Sequence, residues 1–228
     1  MIPAKWLLPL ILLGTGLRVQ HQFVIKDGSG MYDARISVAT CDKEECEGKA
    51  TVTLYKKGTA KPFQSFVSDN LDFYLNKDQQ PSVNIVQLYN EQSPLIFNDF
   101  NFDGTEDLAI RNGNESSYGG PSYDVYVFNS TRQQFVPSEE LTGLAHENLG
   151  MFEVDPVRKR LITYSKSGCC WHLTTEYAVM PQKRLVKVDE LEEDATGGDN
   201  VTVTKRELIN SQWKKIIKTY PIKEYYKD

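Results

Sequence analysis

Nine residues, Asp99-Phe100-Asn101-Phe102-Asp103-Gly104-Thr105-Glu106-Asp107, carry oxygen-bearing side chains at the first, third, fifth and ninth positions of a tight run. A calcium ion is a hard cation that takes oxygen ligands at roughly 2.3–2.6 Å, and alternate positions of a short loop can aim them at one point. The spacing assigns side-chain oxygens of Asp99, Asn101, Asp103 and Asp107 to such an ion, with the backbone carbonyl of Thr105 as a fifth donor. Gly104 occupies the sixth position, where a sharp turn needs a residue without a β-carbon. The twelfth position is Ile110, where a helix-flanked calcium loop would carry a bidentate Glu. The flanks Leu95-Ile96-Phe97 and Leu108-Ala109-Ile110 read as short apolar strands. The expectation is therefore a Ca2+ loop closing a β-hairpin and serving structure rather than signalling. A solvated acidic turn is the competing reading, because Asp, Asn and Gly favour turns on their own.

A second polar stretch follows at once, Asn112-Gly113-Asn114-Glu115-Ser116-Ser117-Tyr118-Gly119-Gly120-Pro121-Ser122-Tyr123. Glycine lets a backbone approach a partner closely, serine supplies hydroxyl donors, and tyrosine offers contact area at low entropic cost. Ser116, Ser117, Tyr118, Gly119, Gly120, Ser122 and Tyr123 are the expected partner-binding set, on a loop stiffened at its base by the calcium site. Tyr123 also opens the alternating run Tyr123-Asp124-Val125-Tyr126-Val127-Phe128, so it serves equally well as the first residue of a strand.

The elements that must position these loops are strands. Alternation dominates and helical periodicity is scarce. Arg35–Ala39, Thr51–Tyr55, Pro62–Val67, Ser82–Tyr89, Tyr123–Phe128, Arg160–Ser165, His172–Met180, Arg184–Val188, Val201–Thr204 and Trp213–Tyr220 are the expected strands, with one short helix near Ser138–Leu144. Turn residues at regular spacing predict an all-β, antiparallel meander forming a sandwich or a propeller-like module. The polar stretch from Ser68 to Pro81 divides an N-terminal β region, 21–81, from the calcium-binding module with its C-terminal strands, 82–228. The acidic cluster Glu190–Asp194 reads as a solvated strand end.

Residues 1–20 read as a cleavable secretory signal, with Lys5, the apolar stretch Trp6–Leu13 and the small residues Gly14-Thr15-Gly16. Export places the chain in the periplasm, an oxidising space where cysteines pair. Four cysteines permit three connectivities. Cys41 with Cys46 and Cys169 with Cys170 is the favoured one. A formal charge of −5 on 228 residues leaves no basic stripe for nucleic acid and suits a cationic protein partner. The three histidines (His21, His146, His172) sit in no nucleophile or metalloprotease arrangement, and G-x-S-x-G is absent, so no enzymatic activity is expected.

The stretch Asn98–Phe128, with Asp99–Ile110 followed by Tyr118-Gly119-Gly120-Pro121-Ser122-Tyr123-Asp124-Val125-Tyr126, resembles a family of bacterial periplasmic β proteins. That family includes an immunity protein against a lysozyme-like effector of a type IV secretion system, and it is similar to periplasmic inhibitors of invertebrate-type lysozyme. Val154-Asp155-Pro156, Ser165-Lys166-Ser167-Gly168 and the run from Glu176-Tyr177 through Leu185–Val188 extend the resemblance, which covers roughly Pro94 to Val188. The resemblance implies a β fold, bound calcium near Asp99–Asp107, and a loop that plugs the cleft of a lysozyme-like glycoside hydrolase. The inhibitors use a Ser-Gly-x-x-Tyr loop, a spacing that Ser117–Tyr123 does not reproduce.

Overall fold

The computed structural model of the chain describes residues 20–180 and 184–226. The expected signal segment, apart from Gln20, and the turn Pro181-Gln182-Lys183 lie outside the described residues. Among the described residues the fold is all-β, with fourteen strands in three sheets and two short helices. The first sheet holds β1 (His21–Ile25), β2 (Tyr32–Asp42), β3 (Glu45–Lys56) and β4 (Pro62–Tyr74). The second holds β5 (Leu95–Asn98), β6 (Asp107–Arg111), β7 (Tyr123–Asn129) and β8 (Gln134–Pro137). Helix α1 (Glu139–Glu147) leads to the third sheet: β9 (Glu153–Asp155), β10 (Arg160–Ser167), β11 (Trp171–Met180), β12 (Arg184–Asp194), β13 (Asn200–Ile209) and β14 (Gln212–Pro221). Helix α2 (Ile222–Tyr225) closes the chain. Each sheet is an antiparallel meander in which spatial order follows chain order.

The second sheet is the middle layer. Leu95, Phe97, Leu108, Ile110 and Phe135 pack on Ile36, Val52, Leu54, Phe66 and Leu71 of the first sheet. Their neighbours Ile96, Ala109 and Val125 point the other way, onto Leu141 and Leu144 of α1, Phe152 and Leu161. A strand buried on both faces reads as an unbroken apolar run, which is why β5 and β6 show no polar alternation. Full burial of each such Leu, Ile or Phe contributes about 1.5–3 kcal/mol. The first of these cores runs across the 81/82 boundary and ties both sides of it together.

Three local expectations need correction. β4 continues through the polar stretch to Tyr74, because Leu71 and Phe73 alternate into the core and are fully buried. Ser82–Tyr89, expected as a strand, forms only an isolated bridge between Val83 and Leu95. Here side chains replace the ladder: the Asn84 amide donates to the Gly28 carbonyl at 2.6 Å, its oxygen accepts from Phe97 N–H at 2.7 Å, and Ser93 Oγ accepts from Ile85 N–H. Glu190–Asp194 is the end of β12, as expected, but it is half-buried instead of solvated: Glu192 accepts from Trp171 Nε1 at 3.0 Å and from Arg206 at 2.7 Å.

Candidate functional site

Strands β5 and β6 pair from Leu95–Ile110 to Asn98–Asp107, so the Asp99–Glu106 loop caps the central hairpin. Its side chains fold back on its own backbone. Asp99 accepts from Asp103 N–H at 3.0 Å and Gly104 N–H at 2.8 Å. Asn101 accepts from Asp103 N–H, and Asp103 from the amide and hydroxyl of Thr105. Gly104 has φ +87°, the left-handed conformation that its position requires.

Asp107 differs from the others. It is completely buried, and its two oxygens accept from Phe100 N–H and Phe128 N–H, each at 2.9 Å. Burial pushes its carboxyl up to about 7 against the two amides that lower it, and the charges of Asp103 and Asp99 raise it further. Among the described residues no three His, Cys, Asp or Glu side chains gather as a metal-holding group. The donor types still suit a hard cation. The charges of Asp99 and Asp103 make ionisation of Asp107 costlier, a repulsion that a divalent ion relieves, and a carboxylate oxygen that accepts one N–H keeps a further lone pair.

Glu106, to which the spacing assigns no ligand role, clamps the first sheet: it accepts from Ser29 Oγ at 2.7 Å, Gly30 N–H at 3.0 Å and Met31 N–H at 3.3 Å. This contact joins residues more than seventy positions apart, and no local pattern announces it.

The second loop is braced from its base upward. Asn112 accepts from the amides of Asp69 and Asn70 and donates to Asp124. Arg111 pairs with Asp72 at 2.9 Å, both largely buried. Ser122 donates to the Asn112 carbonyl at 2.7 Å and accepts from Glu115 N–H; Tyr123 donates to the Ser93 carbonyl. Ser122 and Tyr123 have no exposed surface and Ser116 retains 5%, so these three hold the loop from within instead of meeting a partner directly. A β-carbon at Gly120 would lie 2.8 Å from Ser116 Oγ, which explains the glycine there.

Of the expected binding set, what reaches solvent is the 3-10 turn Ser117–Gly119, beside the exposed Asn114 and Glu115. Tyr118 sits at φ +60° with 63% of its surface exposed. The turn is a ridge, not a free finger. Ser117 N–H and Oγ donate to the carbonyls of Asn148 and Glu147 at the end of α1. Gly168 N–H, at the β10–β11 tip, donates to the Tyr118 hydroxyl at 2.6 Å. That tip carries the Cys169–Cys170 disulfide, and Cys41–Cys46 closes the β2–β3 tip, the favoured pairing.

The whole architecture has a counterpart among solved structures. The chain is similar to a Xanthomonas protein described as related to a type IV secretion system, with a TM-score of 0.66, covering 86% of this chain and 92% of that one at 24% identity. The likeness is one of fold. No protein-family model and no curated protein matches the sequence.

Proposed function

We propose that the chain is an exported, calcium-stabilised protein that blocks a lysozyme-like peptidoglycan hydrolase by pressing the Ser117–Gly120 ridge into its cleft. The observation that carries this reading is Tyr118: a bulky side chain held outward in a left-handed backbone conformation by contacts from two other parts of the chain. Strain of this kind, about 1–3 kcal/mol per residue, concentrates at binding and switching sites. The solved neighbour's relation to a type IV secretion system supports an envelope role beside such machinery. Two disulfides fit the periplasm, and no described helix is long and apolar enough to cross a membrane.

A lysozyme-type cleft works with a pair of carboxyl groups, one of them a proton donor. A blocker needs no chemistry of its own. The ridge supplies the Tyr118 hydroxyl as a donor, and the Ser117 oxygen, whose proton goes to the Glu147 carbonyl, as an acceptor for the protonated carboxyl. Gly119 and Gly120 let the backbone come close; Ser116, Ser122 and Tyr123 keep the ridge in place. Ca2+ would be held by Asp99, Asn101 and Asp103, with the Thr105 carbonyl and Asp107 behind them, and would supply positive charge to an acidic turn one strand away. The test is inhibition of a panel of peptidoglycan hydrolases by the purified chain. Tyr118→Ala should weaken binding to the inhibited enzyme by about 2 kcal/mol. Unchanged inhibition by Tyr118→Ala and Ser117→Ala would refute the ridge.

The second reading is a calcium-stabilised binding or scaffold module of the envelope with no hydrolase target. The outer strand β14 favours it, because Trp213, Ile216 and Ile217 are exposed there, outside the ridge. Failure of every hydrolase in the panel, with a different envelope protein captured, would select it.

A further inference from the structure

Tyr118 has a twin. Tyr89, from the loop before β5, also has a left-handed backbone, φ +62°, and is 60% exposed. Both rings face one ammonium: Lys166 Nζ on β10 lies 4.7 Å from the Tyr89 ring centre and 4.8 Å from that of Tyr118. Two bulky residues in an unfavourable conformation, drawn from separate loops onto one lysine, form a built cluster, since left-handed backbone is rare for such side chains. Lys166 is half-buried, and among the described residues no carboxylate pairs with it, although the chain as a whole is acidic. Beside the cluster runs a groove of about 310 Å³, with Asn90, Ser117, Pro121 and Leu149 along its walls.

The ligand follows from these groups. A half-buried ammonium between two rings lacks only an anion. It is a single point charge, which one carboxylate oxygen can meet without the bidentate geometry that a guanidinium fork favours. Tyrosine faces and Leu149 offer flat apolar surface for the face of a ring, and the Asn90 amide and Ser117 hydroxyl can meet ring hydroxyls. The volume matches the lower end of small-molecule sites, roughly 300–1,000 Å³. We propose that the Tyr89–Lys166–Tyr118 groove binds a sugar that carries a carboxylate. This binding depends on the groove alone and needs no hydrolase partner.

The experiment is titration of the purified chain with N-acetylmuramic acid, followed by amide chemical shifts. N-acetylglucosamine, the same ring without the lactyl carboxylate, and an Asp-Glu dipeptide are run beside it. The acidic sugar should saturate with a Kd on the order of 1 mM or tighter, and the neutral sugar and the dipeptide should each bind at least about tenfold more weakly. Lys166→Met, which keeps the aliphatic stem, and Tyr89→Asn, which tolerates the left-handed backbone, should each lose about tenfold or more, with melting temperatures confirming that both fold. Equal binding of the neutral sugar, equal or tighter binding of the dipeptide, or no saturation by the acidic sugar would overturn the proposal. All three are read on the unaltered chain, so they decide the matter even where a variant fails to fold.

Discussion

The two loops on the central sheet reach order by opposite routes. Asp99–Glu106 is held mostly from within, by side chains that accept from amides two to five positions away, while Glu106 reaches to the β1–β2 loop and Phe100 packs on Phe152. Asn112–Tyr123 is held from without, by β4 at its base, by the end of α1 and by the β10–β11 tip. The first turns its polar atoms inward; the second turns its polar atoms to its supports and leaves Tyr118 outside. A self-contained acidic turn suits an ion. A loop anchored on several elements suits a surface that must keep its shape while pressed against something else.

The sharpest way to break this contrast is to add or remove calcium. An ion at one hundred times its Kd stabilises the folded chain by about 2.7 kcal/mol, so the melting temperature should rise with excess calcium over chelator. Equal melting temperatures would leave the first loop as a plain acidic turn. Next in size is Asp107→Ala. It strands the buried amides of Phe100 and Phe128, and relief of a carboxylate pushed up to about 7 offsets part of that loss. A net cost of about 2 kcal/mol by denaturant unfolding is expected. For the second loop, Gly120→Ala brings a β-carbon against Ser116 Oγ at 2.8 Å and the Ser117 carbonyl at 3.3 Å. Overpacking there should cost about 1 kcal/mol, and the melting response to calcium should stay unchanged. The smallest effect lies outside both loops. Hydrogen bonds from Trp171 and Arg206 hold the Glu192 carboxyl below its ordinary value of 4.5. Its contribution is therefore complete above that ordinary value and is lost as pH falls through the lower folded one. Glu192→Gln should lower stability modestly in the neutral region and leave it little altered at acid pH, which flattens the acid limb of the profile.

Legibility in sequence follows the same division. The first loop is read directly because its contacts span a few residues, and so are the hairpin strands, the short helix and the pairing of near-neighbour cysteines. Tyr118 is visible as a candidate, but not its anchors: Gly168 is fifty positions away, Tyr89 reads as the end of the expected strand Ser82–Tyr89, and Lys166 as a polar residue just past the expected strand Arg160–Ser165. Tyr123 and Ser122 read as partner contacts because Tyr and Ser carry the same chemistry whether they brace a loop or meet a partner; only burial separates the two roles. The departure at Ser82–Tyr89 has a similar source. Its β-branched residues favour a strand, yet Asn84 and Ser93 take over the backbone partners that a ladder would supply.

The most direct test is amide hydrogen exchange of the chain alone and mixed with a hydrolase that it inhibits. New protection should concentrate at 117–120 and at the supporting tip 166–168, with the Asp99–Glu106 loop slowed by calcium and indifferent to the enzyme. Protection confined to β14, with the Tyr118 ridge exchanging as freely as before, would contradict the account.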